Sequence, residues 1–163
     1  MALTDDFKGT LACWATGVSV VAVNDGGLLY GLTVSSFASV SLDPPLILVC
    51  LSIANQMPAM IERAGRFSVS FLGSDQEAAS VYFASAGREP TRDFVGYEGE
   101  LSVLRQPVVK GAMAHLVCEL HDRLDAGTHA VMIGQVVHAA RNPDARPLLY
   151  FRRGYRQVDP ASL

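Results

Sequence analysis

Five hydroxyl side chains lie within the nine residues from Thr33 to Ser41, just before the apolar run LILVCLS. Their spacing is that of a β-strand, in which successive side chains point to opposite faces of the sheet. A hydroxyl can both donate and accept a hydrogen bond, and burying one without a partner costs about 1–3 kcal/mol. Either these hydroxyls pair with the backbone or with solvent on an edge strand, or they contact a ligand that needs many neutral donors and acceptors.

The other polar residues indicate neither a metal site nor a nucleophile. His115 and His121 are six residues apart, and His129 and His138 are nine apart, on segments that are predicted as strands. These spacings do not make a compact pair of ligands, and no cysteine or aspartate completes a site. The motifs GxSxG, GxGxxG and GxxxxGK do not occur in the sequence. We therefore expect no bound metal and no nucleophilic side chain.

The composition predicts one apolar domain that spans residues 1–163. Half of the residues are apolar and 18% are charged, which suggests that a second subunit covers part of the surface. Thirteen basic and sixteen acidic residues leave a net charge of −3. Because no cluster of Lys or Arg appears along the chain, nucleic acid is not an expected partner.

The beginning of the sequence and its cysteines favour a cytoplasmic protein. The segment MALTDDFKG is acidic and polar, whereas a secretion signal is first basic and then apolar. No apolar run approaches the roughly 20 residues of a membrane helix, so we expect no membrane association. Cys13, Cys50 and Cys118 are far apart and have apolar neighbours, which predicts reduced thiols in the core.

A short helix is predicted at the start of the chain. Thr4 suits the N-cap position, and acidic residues follow it where the helix dipole favours them. Phe7, Leu11 and Trp14 recur at i, i+4 and i+7 and form one apolar face. Trp14 and Tyr155 have aromatic faces suited to stacking, but core packing is their expected role.

Two further helices are predicted in the middle of the chain. One starts near Pro58, a residue favoured in the first turn, and ends at Gly65. The other lies in SDQEAASVYFASAG, where Ser74 and Glu77 make a capping box and Gly87 follows the C-terminal end.

The strands are predicted from apolar runs and turn signals. The turn Asn24-Asp25-Gly26-Gly27 predicts a hairpin after the buried strand VSVVAV. Further strands are predicted at 28–42, 46–52, 66–73, 112–124, 128–141 and 147–158. Six or seven strands joined by hairpins, with three helices, predict an antiparallel barrel with helices packed around it.

Taken together, these segments resemble the short-chain flavin reductases of two-component flavin-dependent monooxygenases. The likeness covers roughly residues 5–158 and lies in ATGVSVVAV, GLTVSSFASVSLDPPLILVCLS, FSVSFLGSDQEAASVYFA, GAMAHLVCEL, DAGTHAVMIGQVV and PLLYFRRGYRQV. The resemblance implies a split β-barrel of the FMN-binding type, with six or seven antiparallel strands in Greek-key order. It also implies a homodimer.

The same resemblance implies which residues contact the flavin. The hydroxyls described first would meet its polar edge, and the residues just past the strand at 46–52 would meet its ribityl and phosphate groups. The residues so assigned are Thr33, Val34, Ser35, Ser36, Leu51, Ser52, Asn55 and Phe83. A basic residue often helps to hold the phosphate in this family, and the corresponding segment SIANQM contains none.

His129 falls where the family places a histidine beside the bound nicotinamide. The family's aspartate before that histidine is replaced here by Thr128. Judged from the residue alone, a histidine at the end of a hairpin and hydrogen-bonded to the backbone is the alternative interpretation.

The function implied by the resemblance is reduction of free FMN or FAD by hydride transfer from NADH or NADPH. The reduced flavin would then pass to a separate monooxygenase. No catalytic side chain is implied, because the two cofactors carry the chemistry and the protein positions them. Two other functions remain open, namely a non-catalytic flavin- or haem-binding split-barrel protein and an oxidase of the pyridoxamine-phosphate type.

Overall fold

The computed structural model describes residues 2–94, 99–159 and 161, and this part of the chain is mainly β-structure with three helices. The helices are α1 (Ala2–Leu11), α2 (Met57–Ala64) and α3 (Glu77–Ala84), and a 3-10 turn covers Val103–Arg105. The strands are β1 (Thr16–Gly17), β2 (Ser19–Asp25), β3 (Leu28–Val34), β4 (Ala38–Leu42), β5 (Pro45–Ser52), β6 (Arg66–Phe71), β7 (Gly99–Leu101), β8 (Pro107–Val109), β9 (Ala114–Ala126), β10 (His129–Arg141), β11 (Leu148–Phe151) and β12 (Gly154–Gln157).

Seven strands form the main sheet in the order β3-β2-β6-β9-β10-β5-β4, and each neighbouring pair is antiparallel. Strands β1, β11 and β12 form a second sheet, and β7 and β8 form a third. The prediction of a mainly β, antiparallel fold is confirmed. The predicted number of six or seven strands is too low, because the described residues form twelve, of which the five in the smaller sheets have only two to four residues each.

The two edge strands of the main sheet, β3 and β4, are joined by Ser35, Ser36 and Phe37. The Ser36 hydroxyl donates to the carbonyl oxygen of Cys50 at 2.9 Å and accepts from the Cys50 N–H at 3.0 Å. This hydroxyl therefore links the segment between the two edge strands to β5. The predicted continuous strand over 28–42 is wrong, because the chain leaves β3 after Val34.

A tight hairpin joins β2 to β3, as predicted. Gly26 and Gly27 form the turn with φ of 61° and 93°, and the flanking residues Asp25 and Leu28 are paired. Positive φ at both turn positions is the geometry that matches the twist of the flanking strands, and glycine adopts it without steric cost. The side chain of Asn24 accepts a hydrogen bond from the Gly27 N–H at 2.8 Å and so closes the turn.

Helix α2 packs against the larger core cluster, which lies on one face of the main sheet. Met60 and Ile61 are buried there, and Pro58 occupies the first turn. Gly65 ends the helix with φ of 67°, and its N–H donates to the Ile61 carbonyl at 2.8 Å. The predicted limits of this helix are confirmed, since its start and its stop depend on local signals.

Helix α3 packs against a smaller cluster that includes Val18, Val20, Leu72 and Leu148. Ala79 and Phe83 are buried and belong to this cluster. The predicted capping box is wrong, because the helix begins at Glu77 after Gln76 and has no side-chain cap at its N-terminus. The helix also ends at Ala84, so Gly87 lies outside it.

The two ends of the chain differ from the predictions. Helix α1 begins at Ala2, so Thr4 lies inside it and is not its N-cap. The apolar face of Phe7, Leu11 and Trp14 is exposed, at 59%, 55% and 74%, so core packing of Trp14 is wrong. The predicted strand over 147–158 is instead the β11–β12 hairpin.

Two serines of β6 lie inside the fold, at 0% exposure. The Ser68 hydroxyl is hydrogen-bonded to the carbonyl oxygens of Ala22 and Pro107. The Ser70 hydroxyl accepts from the Val109 N–H at 3.0 Å. These bonds attach β8 to the main sheet, and they satisfy polar groups that burial would otherwise penalise.

The three cysteines occupy different surroundings. Cys13 is exposed, so its predicted place in the core is wrong, while Cys50 is half-buried and Cys118 is buried. Burial raises the pKa of the Cys118 thiol to about 12, because it disfavours the thiolate. Cys118 therefore stays protonated at neutral pH.

The described residues include no helix that is both long enough and apolar enough to cross a membrane. They also include no group of three or more His, Cys, Asp or Glu side chains arranged to hold a metal ion.

Candidate functional site

A groove of about 680 Å³ opens where the β3–β4 connection meets the end of α1 and the β11–β12 turn. Its lining combines hydroxyl groups, aromatic rings and cations. The described residues that line it are Lys8, Leu11, Ala12, Trp14, Thr16, Ser35, Ser36, Phe37, Tyr150, Phe151, Arg152 and Arg153. A binding site with apolar walls and a few polar groups is the usual form of a site for a small molecule.

A side pocket of about 170 Å³ adjoins the groove and shares Ser35 and Tyr150 with it. The Thr33 hydroxyl donates to the Ser80 carbonyl at 2.8 Å, and the Ser80 hydroxyl is 2.8 Å from the Tyr155 hydroxyl. These contacts connect β3, α3 and β12 around the pocket. Tyr155 packs against the smaller core cluster, which was its expected role.

The hydroxyls predicted to bind flavin differ in their hydrogen bonds. The hydroxyls of Thr33 and Ser36 are hydrogen-bonded to backbone groups. This is the alternative to ligand binding that the sequence left open. Ser35 is exposed, lines both the groove and the side pocket, and has no side-chain hydrogen bond within the described part of the chain. Its hydroxyl is therefore available to a ligand. The neighbouring Val34 lines the side pocket.

A second group of predicted residues lies at the ends of β5 and β10. Ser52 and His129 are directly opposite each other in the antiparallel pairing, although they are far apart in sequence. The Ile53 N–H donates to the Thr128 carbonyl at 3.1 Å and extends this pairing into the loop. The Ser36 hydroxyl is hydrogen-bonded to Cys50, two residues before Ser52. The segment between β3 and β4 therefore contacts the same half of β5 that carries Ser52.

The loop after β5 is held by Asn55. Its side-chain oxygen accepts from the Met57 N–H at 2.8 Å, and its side-chain nitrogen donates to the Tyr30 hydroxyl at 3.3 Å. Asn55 therefore orients the loop that begins at Ser52.

Two of the predicted flavin contacts have buried side chains. Leu51 is 1% exposed in the larger core cluster, and Phe83 is 2% exposed in the smaller one. The Phe83 ring lies against Phe94, with ring centroids 5.3 Å apart. In this chain both side chains pack in the core, so they do not reach the groove.

His129 is exposed at the start of β10, just after the β9–β10 turn. The Thr128 hydroxyl lies 3.0 Å from Nδ1 of His129, so a hydrogen bond orients the imidazole ring. Gly127 has φ of 61°, which allows the short turn that brings Thr128 beside the ring. Threonine here provides a neutral partner at the position where the resemblance implied an aspartate.

The most prominent groove feature that sequence reasoning missed is the β11–β12 turn. Arg152 and Arg153 both have positive φ, at 50° and 60°, and each non-glycine residue in this conformation costs about 1–2 kcal/mol. The Arg152 N–H donates to the Ala12 carbonyl at 2.9 Å and attaches the turn to the end of α1. The sequence FRRGYR contains the turn, and its glycine could have indicated a break between two strands. The prediction instead continued one strand through both arginines and the glycine.

The chain was compared with known proteins. Residues 11–159 match the model of the flavin reductase like domain. This chain belongs to that family. The match spans the side pocket, the group at Ser52 and His129, and every residue of the groove except Lys8, and it confirms the resemblance drawn from the sequence.

Similar flavin reductases are known in both sequence and structure. The reductase component of a 4-hydroxyphenylacetate 3-monooxygenase from Thermus thermophilus is 36% identical over 156 residues, which cover 96% of this chain and 97% of that protein. An NADH-dependent flavin reductase from a Rhodococcus species is 35% identical, over 93% of this chain and 85% of that protein. The NADH:FAD oxidoreductase of Streptomyces globisporus, solved in complex with NAD and FAD fragments, is 31% identical with a TM-score of 0.91, over 98% of this chain and 95% of that chain.

Proposed function

We propose that this chain is an NADH:flavin oxidoreductase that reduces free FMN or FAD and supplies the reduced flavin to a separate flavin-dependent monooxygenase. The observation that carries the proposal is the likeness, over nearly the whole chain, to a flavin reductase solved with NAD and FAD fragments. A relative that is named as the reductase component of a monooxygenase supports the transfer to a second protein.

The groove fits a flavin in size and in chemistry. Its aromatic residues Trp14, Phe37 and Tyr150 offer apolar surface to a ring system, and the free hydroxyl of Ser35 can pair with a polar ring edge. When bound together, nicotinamide and flavin exchange a hydride without help from a protein nucleophile. The residues of the groove would hold the flavin ring, exclude water from one of its faces and fix its orientation relative to the nicotinamide.

His129 and Ser52 are the residues that we assign to the junction of the two cofactors. They are opposite each other on β10 and β5, which supports a place for His129 beside the nicotinamide and for Ser52 beside the flavin. The Thr128 hydroxyl holds the imidazole ring in one orientation. The contacts of Leu51 and Phe83 with flavin are proposed to be limited to backbone atoms, because their side chains are buried.

We propose that residues 1–163 form one domain whose main sheet closes into a split β-barrel. The edge strands β3 and β4 are consecutive, and the Ser36 hydroxyl links their connection to β5. These facts support closure, because full closure is the way in which a sheet removes its free edges. The free thiols of the three cysteines support a reducing, cytoplasmic location.

A homodimer is the assembly that we propose for the chain. Leu3, Phe7, Leu11 and Trp14 lie along α1 and its end and are between 55% and 82% exposed. An apolar stripe of this size is costly in water and is typical of a surface that another subunit covers. Light scattering at micromolar concentration tests this, and a stable particle of 17.5 kDa would contradict it.

Oxidation of NADH, followed in the presence and absence of added flavin, tests the proposed activity. We expect consumption of NADH that depends on FMN or FAD, with the two flavins titrated separately and NADPH as the alternative donor. A protein that binds flavin or haem in stoichiometric amounts but does not oxidise NADH would be a carrier, and the proposal would be wrong.

A further inference from the structure

The groove is basic although the chain as a whole is acidic. The described residues that line it include Lys8, Arg152 and Arg153 and no carboxylate, whereas the whole chain has a net charge of −3. In the described part of the chain, none of these three cations forms a salt bridge. Three cations without an acidic partner around one groove create a positive potential that attracts an anion.

The turn that carries two of these cations is not one that favours arginine. Two-residue hairpin turns with positive φ at both positions favour Asn-Gly, yet Arg152 and Arg153 occupy them with φ of 50° and 60°. Residues that are held in sparsely populated backbone conformations cluster at functional sites. The bond from the Arg152 N–H to the Ala12 carbonyl also fixes the turn against the end of α1.

Polar groups beside the turn also lack partners. Thr16 lines the groove, and its hydroxyl oxygen is buried with no hydrogen bond in the described structure. The exposed Ser35 hydroxyl, which also lines the groove, has none either. By contrast, residues 52–57 of the loop after β5 include no Lys or Arg. The charges and hydroxyls that an anionic group requires therefore converge at the groove rather than at that loop.

We propose that Arg152, Arg153 and Lys8, which line the same groove, bind the phosphate of a nucleotide cofactor. The proposal rests on the proposed function, and it deepens that function by placing the phosphate at the β11–β12 turn. Guanidinium groups form short, charge-assisted hydrogen bonds to phosphate and often do so in pairs. The phosphate belongs either to the flavin nucleotide or to the nicotinamide dinucleotide, and the two sources have separate tests.

Substitutions that this type of turn favours can remove the charges of the two arginines without destabilising the fold. Arg152→Asn with Arg153→Gly removes both charges but introduces the residues that this turn favours, so we expect unchanged or higher thermal stability. Arg152→Lys with Arg153→Lys keeps the charges at the same backbone cost. Arg146→Asn removes an exposed arginine that does not line the groove and serves as the control for loss of charge.

Comparison of riboflavin with FMN isolates the flavin phosphate, because riboflavin has none. For the Asn-Gly variant we expect the Kd of FMN to rise about tenfold or more and that of riboflavin to stay within twofold of wild type. The Lys-Lys variant should retain most of the FMN affinity, and Arg146→Asn should retain all of it. Added salt should weaken FMN binding to wild type more than riboflavin binding, because salt screens charge interactions.

The same variants test whether the bound phosphate belongs to the nicotinamide dinucleotide. If the Kd values of both flavins stay within twofold but the KM for NADH, with riboflavin as acceptor, rises about tenfold, the turn binds the phosphate of the dinucleotide. The proposal is overturned if the Asn-Gly variant binds FMN, riboflavin and NADH like wild type, or if it loses riboflavin and FMN equally. Failure of the proposed function is a different result, in which wild-type protein does not oxidise NADH with either flavin.

Discussion

Ser70 on β6 and Ser35 beside the groove carry the same side chain in opposite surroundings. Ser70 is fully buried, and its hydroxyl accepts a hydrogen bond from the Val109 N–H at 3.0 Å. Ser35 is exposed at a groove, and within the described residues its hydroxyl has no partner. The buried hydroxyl is a component of the fold, whereas the exposed one is free for a ligand.

This difference shows that a row of serines on a strand does not by itself indicate a binding site. Within the hydroxyl-rich segment, Thr33 and Ser36 behave like Ser70, since backbone groups already use their hydroxyls. Among the three hydroxyls of this segment that were predicted to contact the flavin, the one without a partner in the described chain belongs to Ser35, where the chain leaves the sheet. Substitutions at the two kinds of serine should therefore affect different measurements.

Removing the buried hydroxyl should have the largest effect, and the effect should be on stability. Ser70→Ala leaves the Val109 N–H buried without an acceptor, so we expect the free energy of unfolding to fall by about 1–3 kcal/mol. Urea denaturation measures this change. Ser35→Ala is the matched control, and its unfolding free energy should stay within about 0.5 kcal/mol of wild type. Equal losses in both variants would remove the distinction between the two serines.

Removing the exposed hydroxyl should reduce flavin binding instead. Ser35→Ala removes the hydroxyl without adding bulk, so the side chain cannot pair with the flavin and we expect about tenfold weaker binding, or about 1.4 kcal/mol. Titration of FMN or FAD followed by fluorescence measures it. Unchanged affinity would show that Ser35 does not contact the flavin, and that the hydroxyl is a surface group like any other.

Replacing His129 should affect the nicotinamide half of the site. His129→Ala removes one positioning contact, for which about 1 kcal/mol is typical, so we expect a roughly fivefold higher KM for NADH or a slower hydride transfer. Flavin affinity should stay nearly the same. Stopped-flow traces at saturating flavin provide the measurement, with the exposed His121→Ala as control. Loss of flavin binding with normal use of NADH would place His129 on the flavin side.

The smallest expected effect comes from the partner of this histidine. Thr128 now provides a neutral hydroxyl 3.0 Å from Nδ1, and Thr128→Asp would place a negative charge there. Because a nearby negative charge favours the protonated imidazole, the fall of kcat/KM for NADH with rising pH should move to higher pH. Thr128→Val loses the hydrogen bond without adding charge, so its pH profile should not move in that direction. Identical profiles for the two variants would mean that protonation of His129 does not affect NADH use.

Features that depend on neighbouring residues could be predicted from the sequence. The Gly26-Gly27 hairpin and the limits of α2 at Pro58 and Gly65 were predicted correctly, because turn geometry and helix caps depend on a few adjacent residues. The antiparallel, mainly β class followed from strands joined by hairpins. Family membership followed from motifs spread over nearly the whole chain, and the family match confirms it.

The sequence alone determined the family, the class of fold and a set of polar candidates for the site. Tertiary structure decided which of them is free. The Thr33 hydroxyl is bonded to a residue 47 positions away and Ser36 to one 14 positions away, and no local pattern reveals such partners. The same holds for the arginines of the β11–β12 turn, which line one groove with Lys8 of α1 only after the turn has packed against the end of α1. Secondary structure follows from short-range periodicity, but a binding site depends on long-range contacts.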